Sequence, residues 1–346
     1  MKEWKHSSKK NYTSLNCGQG RFNNLCMFVA SPHYFKRVKM LLERWIVIWF
    51  YIYNCGNYMK VLKSVFLVSV ALLLSVEWLS AQTIDAPWLT EKKLEATPKT
   101  LFDKSHLRVY YQLFYRPNHE VKDVKKEALT VLLVGDKALM YEDYNILRRD
   151  SLERAYVEEG KTAGEYMGVA LKLKTPVKDQ VITLLDQNKI IYALNSIAFN
   201  DYYYEEEIPT FDWQLSDDQK TISGLECRKA TMHFRGRDYV AWYSTEVALP
   251  YGPYKFGGLP GIIVEIYDTE MDYQFTLVQM QQGNLGDQIG FNFENNRLMK
   301  TSRANAMRAL ENYRKDPGRM ISQKARRRDG KPLEAKAIPH NPIELK

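Results

Sequence analysis

The chain contains little cysteine, with four among 346 residues. Three of them, Cys17, Cys26 and Cys55, lie within the first 58 residues, and only Cys227 follows. A disulfide-stapled scaffold is therefore excluded for the chain beyond residue 58. Cys227 lies in an alternating strand pattern, so we expect a small buried hydrophobe there rather than a reactive thiol.

The sequence also lacks the common motifs of catalysis and nucleotide binding. It has no GxGxxG or Walker pattern, no GxSxG nucleophile elbow and no HExxH zinc motif. Four histidines lie beyond residue 81, and none has the spacing of a metal-ligand pair: His106, His119, His233 and His340. We therefore predict no catalytic, cofactor-binding or metal-ligating residue and no cofactor. A hydrolase with an unrecognised site stays open as an alternative.

The chain has no net charge beyond its first 81 residues. The formal net charge is +8, and residues 1–81 carry 11 Lys/Arg against 3 Asp/Glu, so the remainder is balanced. Within that remainder, residues 297–346 carry 14 Lys/Arg against 5 Asp/Glu, and the preceding body is acidic. We expect the basic tail, about 318–346 and including Arg326–Arg328, to fold against the acidic body. A lipid surface is the alternative partner for the tail, and a nucleic acid is not expected.

Apolar runs long enough to cross a membrane as a helix are missing as well. Met59 and two lysines precede about a dozen apolar residues and then small residues up to Ala81, which predicts a signal peptide at 59–81. A spanning helix needs about 20 apolar residues, and Trp45–Tyr53 is too short. Because signal peptides begin chains, we interpret residues 1–58 as a non-native upstream extension. Residues 82–346 are predicted to form a single domain.

Aromatic residues are abundant, at 13% of the chain with 23 tyrosines, and this composition favours β structure. We predict a mainly β fold, a curved antiparallel sheet or half-barrel with one or two short covering helices; an α+β fold is the alternative. Helices are predicted over Asn145–Glu159 and from Arg297 to about Tyr313. Strands and hairpins are predicted at His106–Arg116, Ala128–Tyr141, Val181–Leu194, Leu225–Thr245, Ile262–Tyr267 and Tyr273–Met280.

Glycine and proline are concentrated in one stretch, Gly252–Asp268. Pro260 and Gly261 suit the central pair of a type II turn, which requires positive φ at its second position. Because a strand follows rather than a helix, we interpret Gly257, Gly258, Leu259, Pro260 and Gly261 as a structural corner. An anion cradle at a helix N-terminus is the alternative.

The motif in this corner, Gly258–Ile263, resembles the signature of the GLPGLI family of exported proteins of Bacteroidota-type bacteria. Ile262 stands where the family usually has leucine, which is a volume-conserving difference. Further blocks carry the resemblance: Gly135–Lys137, Ile222–Ala230, Phe234–Arg237, Ala241–Tyr243, Gly252–Phe256 and Asn341–Leu345. The resemblance implies export through the Sec route to the periplasm, the outer-membrane surface or the medium. It implies a mostly antiparallel sheet, and it implies no particular activity.

Basic and aromatic side chains lie close together in the sequence around this corner. We predict that they line a concave face for a lipid, peptide or glycan, provided that they are not packed in the core: Arg235, Arg237, Trp242, Tyr243, Lys255 and Phe256. The acidic stretch Asp201–Glu207 suits either a charged sheet edge or a calcium site. The leading functional hypothesis is a ligand-binding envelope protein or an accessory to an outer-membrane protein. The non-enzymatic alternative is a structural subunit of an envelope complex.

Overall fold

The structure is a computed structural model that describes residues 91–197, 200–283, 285–323 and 330–346. These residues belong to one compact unit, Ala86–Lys346. The predicted extension at 1–58, the predicted signal peptide at 59–81 and Arg326–Arg328 lie outside the described residues. No helix within the described ranges is long and apolar enough to span a bilayer.

The described residues form fourteen strands and four helices. The strands are β1 Thr100–Lys104, β2 Leu107–Tyr115, β3 Lys126–Val134, β4 Ala138–Asp143, β5 Gln180–Leu184, β6 Lys189–Ile197, β7 Asn200–Glu207, β8 Gln214–Ile222, β9 Leu225–Phe234, β10 Arg237–Ser244, β11 Ile262–Asp268, β12 Tyr273–Gln282, β13 Gln288–Phe291 and β14 Leu298–Lys300. The helices are α1 Tyr144–Glu158, α2 Ala163–Ala170, α3 Arg303–Lys315 and α4 Pro317–Ser322.

Twelve strands form one open sheet in the order β14-β7-β6-β5-β4-β3-β2-β12-β11-β10-β9-β8. Neighbouring strands are antiparallel, except that β14 runs parallel to β7. Strands β1 and β13 form a separate antiparallel pair. The prediction of a mainly β fold with a large antiparallel sheet and short helices is confirmed.

The sheet is strongly curled. Arg235, in the turn after β9, contacts Glu206 of β7 at 2.8 Å, although nine strand positions separate β7 from β9. At about 4.8 Å per strand, these groups would lie roughly 40 Å apart in a flat sheet. The sheet therefore bends into an open half-barrel with an inner and an outer face.

Each face of the half-barrel has its own hydrophobic core. The inner core joins strands from both ends of the sheet, including Tyr141 on β4, Tyr204 on β7 and Phe275 on β12. The outer core covers β3 to β6 and packs against Leu147 of α1 and Phe291 of β13. Both cores follow from the period-two alternation of side chains along each strand, which places successive residues on opposite faces.

Most predicted elements agree with the structure. The hairpins β3–β4 and β5–β6, the helix α1 and the meander β9 to β12 lie where the hydrophobic pattern placed them. Helix α3 begins at Arg303, six residues after the predicted start at Arg297, because Ser302 caps it by accepting from the backbone N–H of Asn305. The short parallel strand β14 occupies part of the intervening chain.

The connection between β10 and β11 folds into the concave side of the half-barrel. Gly252–Phe256 is buried there, and Tyr254 adopts a positive φ of 60°. Tyr254 contacts the rings of Tyr141 and Tyr192 with centroid separations of 6.4 and 5.9 Å. We call Gly252–Leu259 the inner loop. Its aromatic side chains fill space that the curled sheet encloses.

The glycines of the corner are required for reasons other than the predicted turn. Gly258 has the positive φ, +81°, whereas Gly261 does not have one, so the predicted placement of positive φ at Gly261 is wrong. A Cβ on Gly261 would overlap the carbonyl oxygen of Ser244, where the chain returns to pair with β10. Gly261 is thus needed for close backbone approach, and Gly258 for its left-handed conformation.

Replacing Gly261 with alanine should destabilise the fold by about 1–3 kcal/mol, because the backbone of Ser244 cannot yield as a flexible side chain does. The matched control is Gly168→Ala in α2, where a Cβ meets nothing within 4 Å. That control should leave stability unchanged or raise it, since alanine is the better helix former. Denaturant unfolding of both variants compares them, and equal stabilities would contradict the steric role of Gly261.

Candidate functional site

The C-terminal segment lies across the mouth of the half-barrel. Leu345 donates its backbone N–H to the carbonyl of Arg235 at 2.8 Å, and Tyr239 donates its hydroxyl to the carbonyl of Ile343 at 2.9 Å. Asn341 and Glu344 are buried. We call Asn341–Leu345 the C-terminal strap. It bridges from helix α3 to the β9–β10 turn.

A buried ion cluster holds the strap at one end. The ammonium of Lys255, which is fully buried, contacts Glu344 at 2.7 Å and Glu206 at 2.5 Å. Arg303 of α3 contacts Glu344 at 2.6 Å, and Arg235 contacts it at 3.3 Å. We call these five residues the lysine cluster. It joins strand β7, the β9–β10 turn, helix α3, the inner loop and the strap. Strands β7 and β9 lie near opposite ends of the sheet.

The electrostatics of the lysine cluster favour an ionised Glu344. Burial alone would raise the pKa of Glu344, but the charge of Lys255 and the hydroxyl that Tyr254 donates outweigh burial and hold that pKa below its ordinary value. Burial raises the pKa of Tyr254 well above its ordinary value. Tyr254 therefore acts as a neutral hydrogen-bond donor to the carboxylate.

A second buried cluster holds the other end of the strap. The guanidinium of Arg237 contacts Asp268 at 3.0 Å and Asp272 at 2.9 Å, and it donates to the side chain of Asn341 and the carbonyl of Pro342, both at 2.6 Å. Asn341 in turn donates to the carbonyl of Arg116 at 3.0 Å. The strap is therefore fixed by charged groups at two points.

The six residues predicted to line an open ligand surface are internal. Arg237 and Lys255 are buried in the two ion clusters, and Arg235 is mostly covered. Tyr243 and Phe256 lie in the inner core, and Trp242, with the ammonium of Lys220 4.3 Å from its ring centroid, is 9% exposed. The prediction of an open surface at these residues is wrong, because their side chains are packed within the chain and the charged groups of Arg235, Arg237 and Lys255 have carboxylate partners there.

A cavity of about 630 Å³ lies beside the clusters, between the inner face of the sheet, helix α3 and the chain before and within the strap. Its volume is in the range of small-molecule sites. The sheet contributes side chains such as Leu113, Tyr141, Val181, Tyr192, Leu194 and Phe275. Helix α3 and the C-terminal region contribute Met307, Leu310, Tyr313, Arg314, Ile338, His340 and Ile343.

Three residues that line this cavity each have a buried polar atom without a hydrogen-bond partner among the described residues. These atoms are Tyr141 Oη, Arg314 Nε and His340 Nε2. Burial raises the pKa of Tyr141, and the neighbouring hydroxyl of Thr130 opposes that rise. The Thr130 hydroxyl itself donates to the carbonyl of Tyr111 at 3.1 Å. Burial and the nearby Arg314 lower the pKa of His340. Orphaned polar groups in a mostly apolar cavity mark places where a ligand or water can bind.

Asp179 is another titratable group of the cavity wall. It accepts a hydrogen bond from the hydroxyl of Tyr192 at 2.9 Å. Burial raises the pKa of Asp179, and the hydroxyl of Tyr192 and the charge of Arg314 oppose that rise. The cavity thus combines an aromatic and aliphatic wall with the guanidinium of Arg314, the imidazole of His340 and the carboxyl groups of Asp179 and Glu344.

Other chemistry-bearing residues lie apart from the cavity. Cys227 is buried as predicted, its thiol donates to the carbonyl of Leu225 at 3.3 Å, and burial raises its pKa to about 11. Glu142 lies beneath the outer face, accepts from Gln180 at 2.7 Å, and has its pKa raised to about 8 by burial and by Asp150. The thiol of Cys227 is therefore protonated at neutral pH, and neither Cys227 nor Glu142 lines the cavity.

The acidic stretch Asp201–Glu207 forms strand β7, which lies between β6 and the short β14. Its carboxylates pair with cations of the chain: Asp201 with Arg297, Glu205 with Lys300, and Glu206 with Lys255. Within the ranges that the structure describes, no group of three or more His, Cys, Asp or Glu side chains is arranged to hold a metal ion.

The sequence analysis did not identify the cavity residues that helix α3 and the C-terminal region contribute. The spacing of Ala306, Leu310 and Tyr313 marks the apolar side of α3, and Arg314 follows it directly. Glu344, an isolated acidic residue in a basic tail, was the available signal for the lysine cluster. The tail does fold against the body, but its glutamate and carbonyl groups make the contacts with basic residues of the body, which reverses the expected pairing.

Comparisons with known proteins add little. No family model and no curated protein matches the chain. Two solved structures of PNGF-II, in space groups P21 and C2, match with a TM-score of 0.38 and 8% identity. The matches cover 61% and 60% of this chain and 34% and 33% of the PNGF-II chains, so this chain corresponds to about a third of their length. A likeness at this level carries no conclusion about fold or function.

Replacing Glu344 with glutamine should lower the free energy of unfolding at pH 7 by about 3 kcal/mol or more, because Lys255 and Arg235 would keep only Glu206 and Arg303 would lose its carboxylate partner. The folded pKa of Glu344 is below its unfolded value, so its stabilisation is complete above about pH 4.3 and is lost as the pH falls through the folded pKa. Unfolding curves should show the wild type and the variant converging at low pH.

The control for this substitution is Glu311→Gln on α3, which removes an exposed carboxylate paired with Lys315. We expect no measurable change in stability from the control at any of these pH values. A Glu344→Gln variant as stable as the control at pH 7 would contradict the role assigned to the lysine cluster.

Proposed function

We propose that this chain is an exported cell-envelope protein of the GLPGLI type that binds a small ligand in the cavity of its half-barrel. Support for export comes from the signal-peptide pattern at 59–81 and from the resemblance of Gly258–Ile263 and Asn341–Leu345 to that family. Both of these blocks contribute to the enclosure of the inner face, one at the end of the inner loop and one in the strap.

The observation that carries the binding proposal is the cavity of about 630 Å³ with orphaned polar atoms of Tyr141, Arg314 and His340 in its wall. Buried polar groups without partners destabilise a fold, so their retention is explained if a ligand satisfies them. The aromatic and aliphatic remainder of the wall fits the apolar part of such a ligand.

Binding can be measured with the neutral fluorescent probe N-phenylnaphthylamine and the protein beginning at Gln82. The wild type should bind the probe with saturable fluorescence, and Leu310→Trp should weaken binding about tenfold or more by filling the cavity beside α3. The control is Leu215→Trp, on the exposed edge strand β8, where the side chain is 61% exposed. Control binding should match the wild type.

A thermal melt of each variant shows whether the fold is intact, and the smaller replacement Met307→Phe provides a second test if Leu310→Trp does not fold. The absence of saturable binding to the wild type would refute the proposal. Equal binding by the cavity variants and by the exposed control would refute it as well.

Export has its own test. A chain that begins at Met59, expressed in a Gram-negative bacterium, should be recovered from the envelope fraction with Gln82 as its first residue. N-terminal sequencing of the recovered protein provides the measurement, and Leu72→Arg, which interrupts the apolar run, provides the control that should remain unprocessed in the cytosol. An unprocessed wild-type chain would contradict export.

A further inference from the structure

We infer that the ligand of the cavity is an amphipathic anion whose head group binds Arg314 beside His340. This inference rests on the proposed function and adds the chemical class of the ligand. The head group is a carboxylate or a phosphate, and the remainder of the molecule is apolar.

The side chain of Arg314 is positioned for a ligand by contacts that leave part of its guanidinium unused. Its Nη1 donates to the carbonyl of Pro339 at 2.8 Å, and its own carbonyl accepts from the N–H of Ile338 at 2.8 Å. These contacts fix the side chain against the chain that precedes the strap. Arg314 lines the cavity, and its buried Nε has no hydrogen-bond partner among the described residues, so its guanidinium retains donor capacity for a group in the cavity.

Arg314 differs from the other cations on the inner side of the half-barrel. Arg237, Lys255 and Arg303 each contact at least one carboxylate within 3.0 Å. Arg314 takes part in none of the ion pairs among the described residues. The guanidinium of Arg314 is half-buried, and an anion bound in the cavity would add a charge-assisted hydrogen bond to it.

The remaining charges of the cavity also favour an anion. Lys126 and Lys178 line it and are exposed, which places them toward its opening. Of the carboxyl groups that line it, Glu344 is paired with the cations of the lysine cluster, and burial raises the pKa of Asp179, which favours its neutral form, against the opposing hydrogen bond from Tyr192. His340 Nε2 adds a polar atom near Arg314. A guanidinium edge matches the planar geometry of a carboxylate and the oxygens of a phosphate.

The apolar part of the ligand has a continuous path from the interior to solvent. Leu113, Leu194, Phe275 and Leu310 lie in the interior wall. Val121, Val124 and Ile338 line the same cavity and are 43%, 52% and 38% exposed. These three residues form an apolar rim, which suits a ligand that enters with its hydrocarbon part in contact with protein.

The test is competition for bound N-phenylnaphthylamine by decanoate, decyl phosphate, decanol and decylamine, all with the same hydrocarbon chain. At least one of the two anions should displace the probe from the wild type at concentrations about tenfold or more below those needed for decanol, and decylamine should bind no better than decanol. A preference for decanoate assigns a carboxylate head group, and a preference for decyl phosphate assigns a phosphate.

The variant Arg314→Gln should lose the preference for the anion and retain the decanol affinity of the wild type, which also shows that its cavity is folded. The matched control is Arg308→Gln, an exposed arginine on the same helix that does not line the cavity. This control should keep the full preference for the anion.

Equal affinities of the wild type for the anions and for decanol would overturn the inference and leave the proposed function standing. A preference for the anion that survives in Arg314→Gln would also overturn it. Failure of the wild type to bind any of these compounds or the probe itself would refute the proposed function, and the inference with it.

Discussion

The ion contacts of Lys255 with Glu206 and Glu344 are the constraint on which the inner side of the half-barrel depends. These three residues come from the inner loop, strand β7 and the C-terminal strap, which no backbone hydrogen-bond ladder connects directly. An ammonium that is fully buried requires charged partners, because desolvation without them costs several kcal/mol. The position of each partner is therefore fixed by the others.

The curvature of the sheet, the inner loop and the strap form one arrangement through this cluster. If the sheet were flatter, Glu206 would move away from Lys255 and Arg235, and their charges would lose their partner. If the strap were released, Lys255 and Arg235 would keep only Glu206, and Arg303 would lose its carboxylate partner. The second cluster, around Arg237, holds the other end of the strap in the same way. The cavity exists because the strap and α3 cover part of the inner face of the sheet without filling the space beneath them.

The contrast between satisfied and orphaned polar groups indicates where the chain is complete by itself and where it is open to a ligand. In the two clusters the charged groups face groups of opposite charge, and tyrosines and carbonyl groups complete the contacts. In the neighbouring cavity, Tyr141, Arg314 and His340 keep buried atoms without partners among the described residues. Three of the six buried side-chain atoms that lack a hydrogen-bond partner among the described residues belong to residues that line this cavity, which supports a binding site there.

The sequence by itself determined strands β2 to β6 and β9 to β12 and helix α1, because period-two and helical patterns of apolar residues are local properties that turn residues delimit. It also identified the corner at Gly258–Ile263, although it placed the positive φ at Gly261 instead of Gly258. Tertiary structure alone decided that Arg235, Arg237, Lys255 and Phe256 are internal, since their burial depends on the curl of twelve strands and on a strap that arrives from the end of the chain. The same holds for Arg314 and Glu344, whose roles arise from groups far away in sequence. Contacts of this kind depend on how distant elements pack against each other, and a local sequence pattern does not predict that packing.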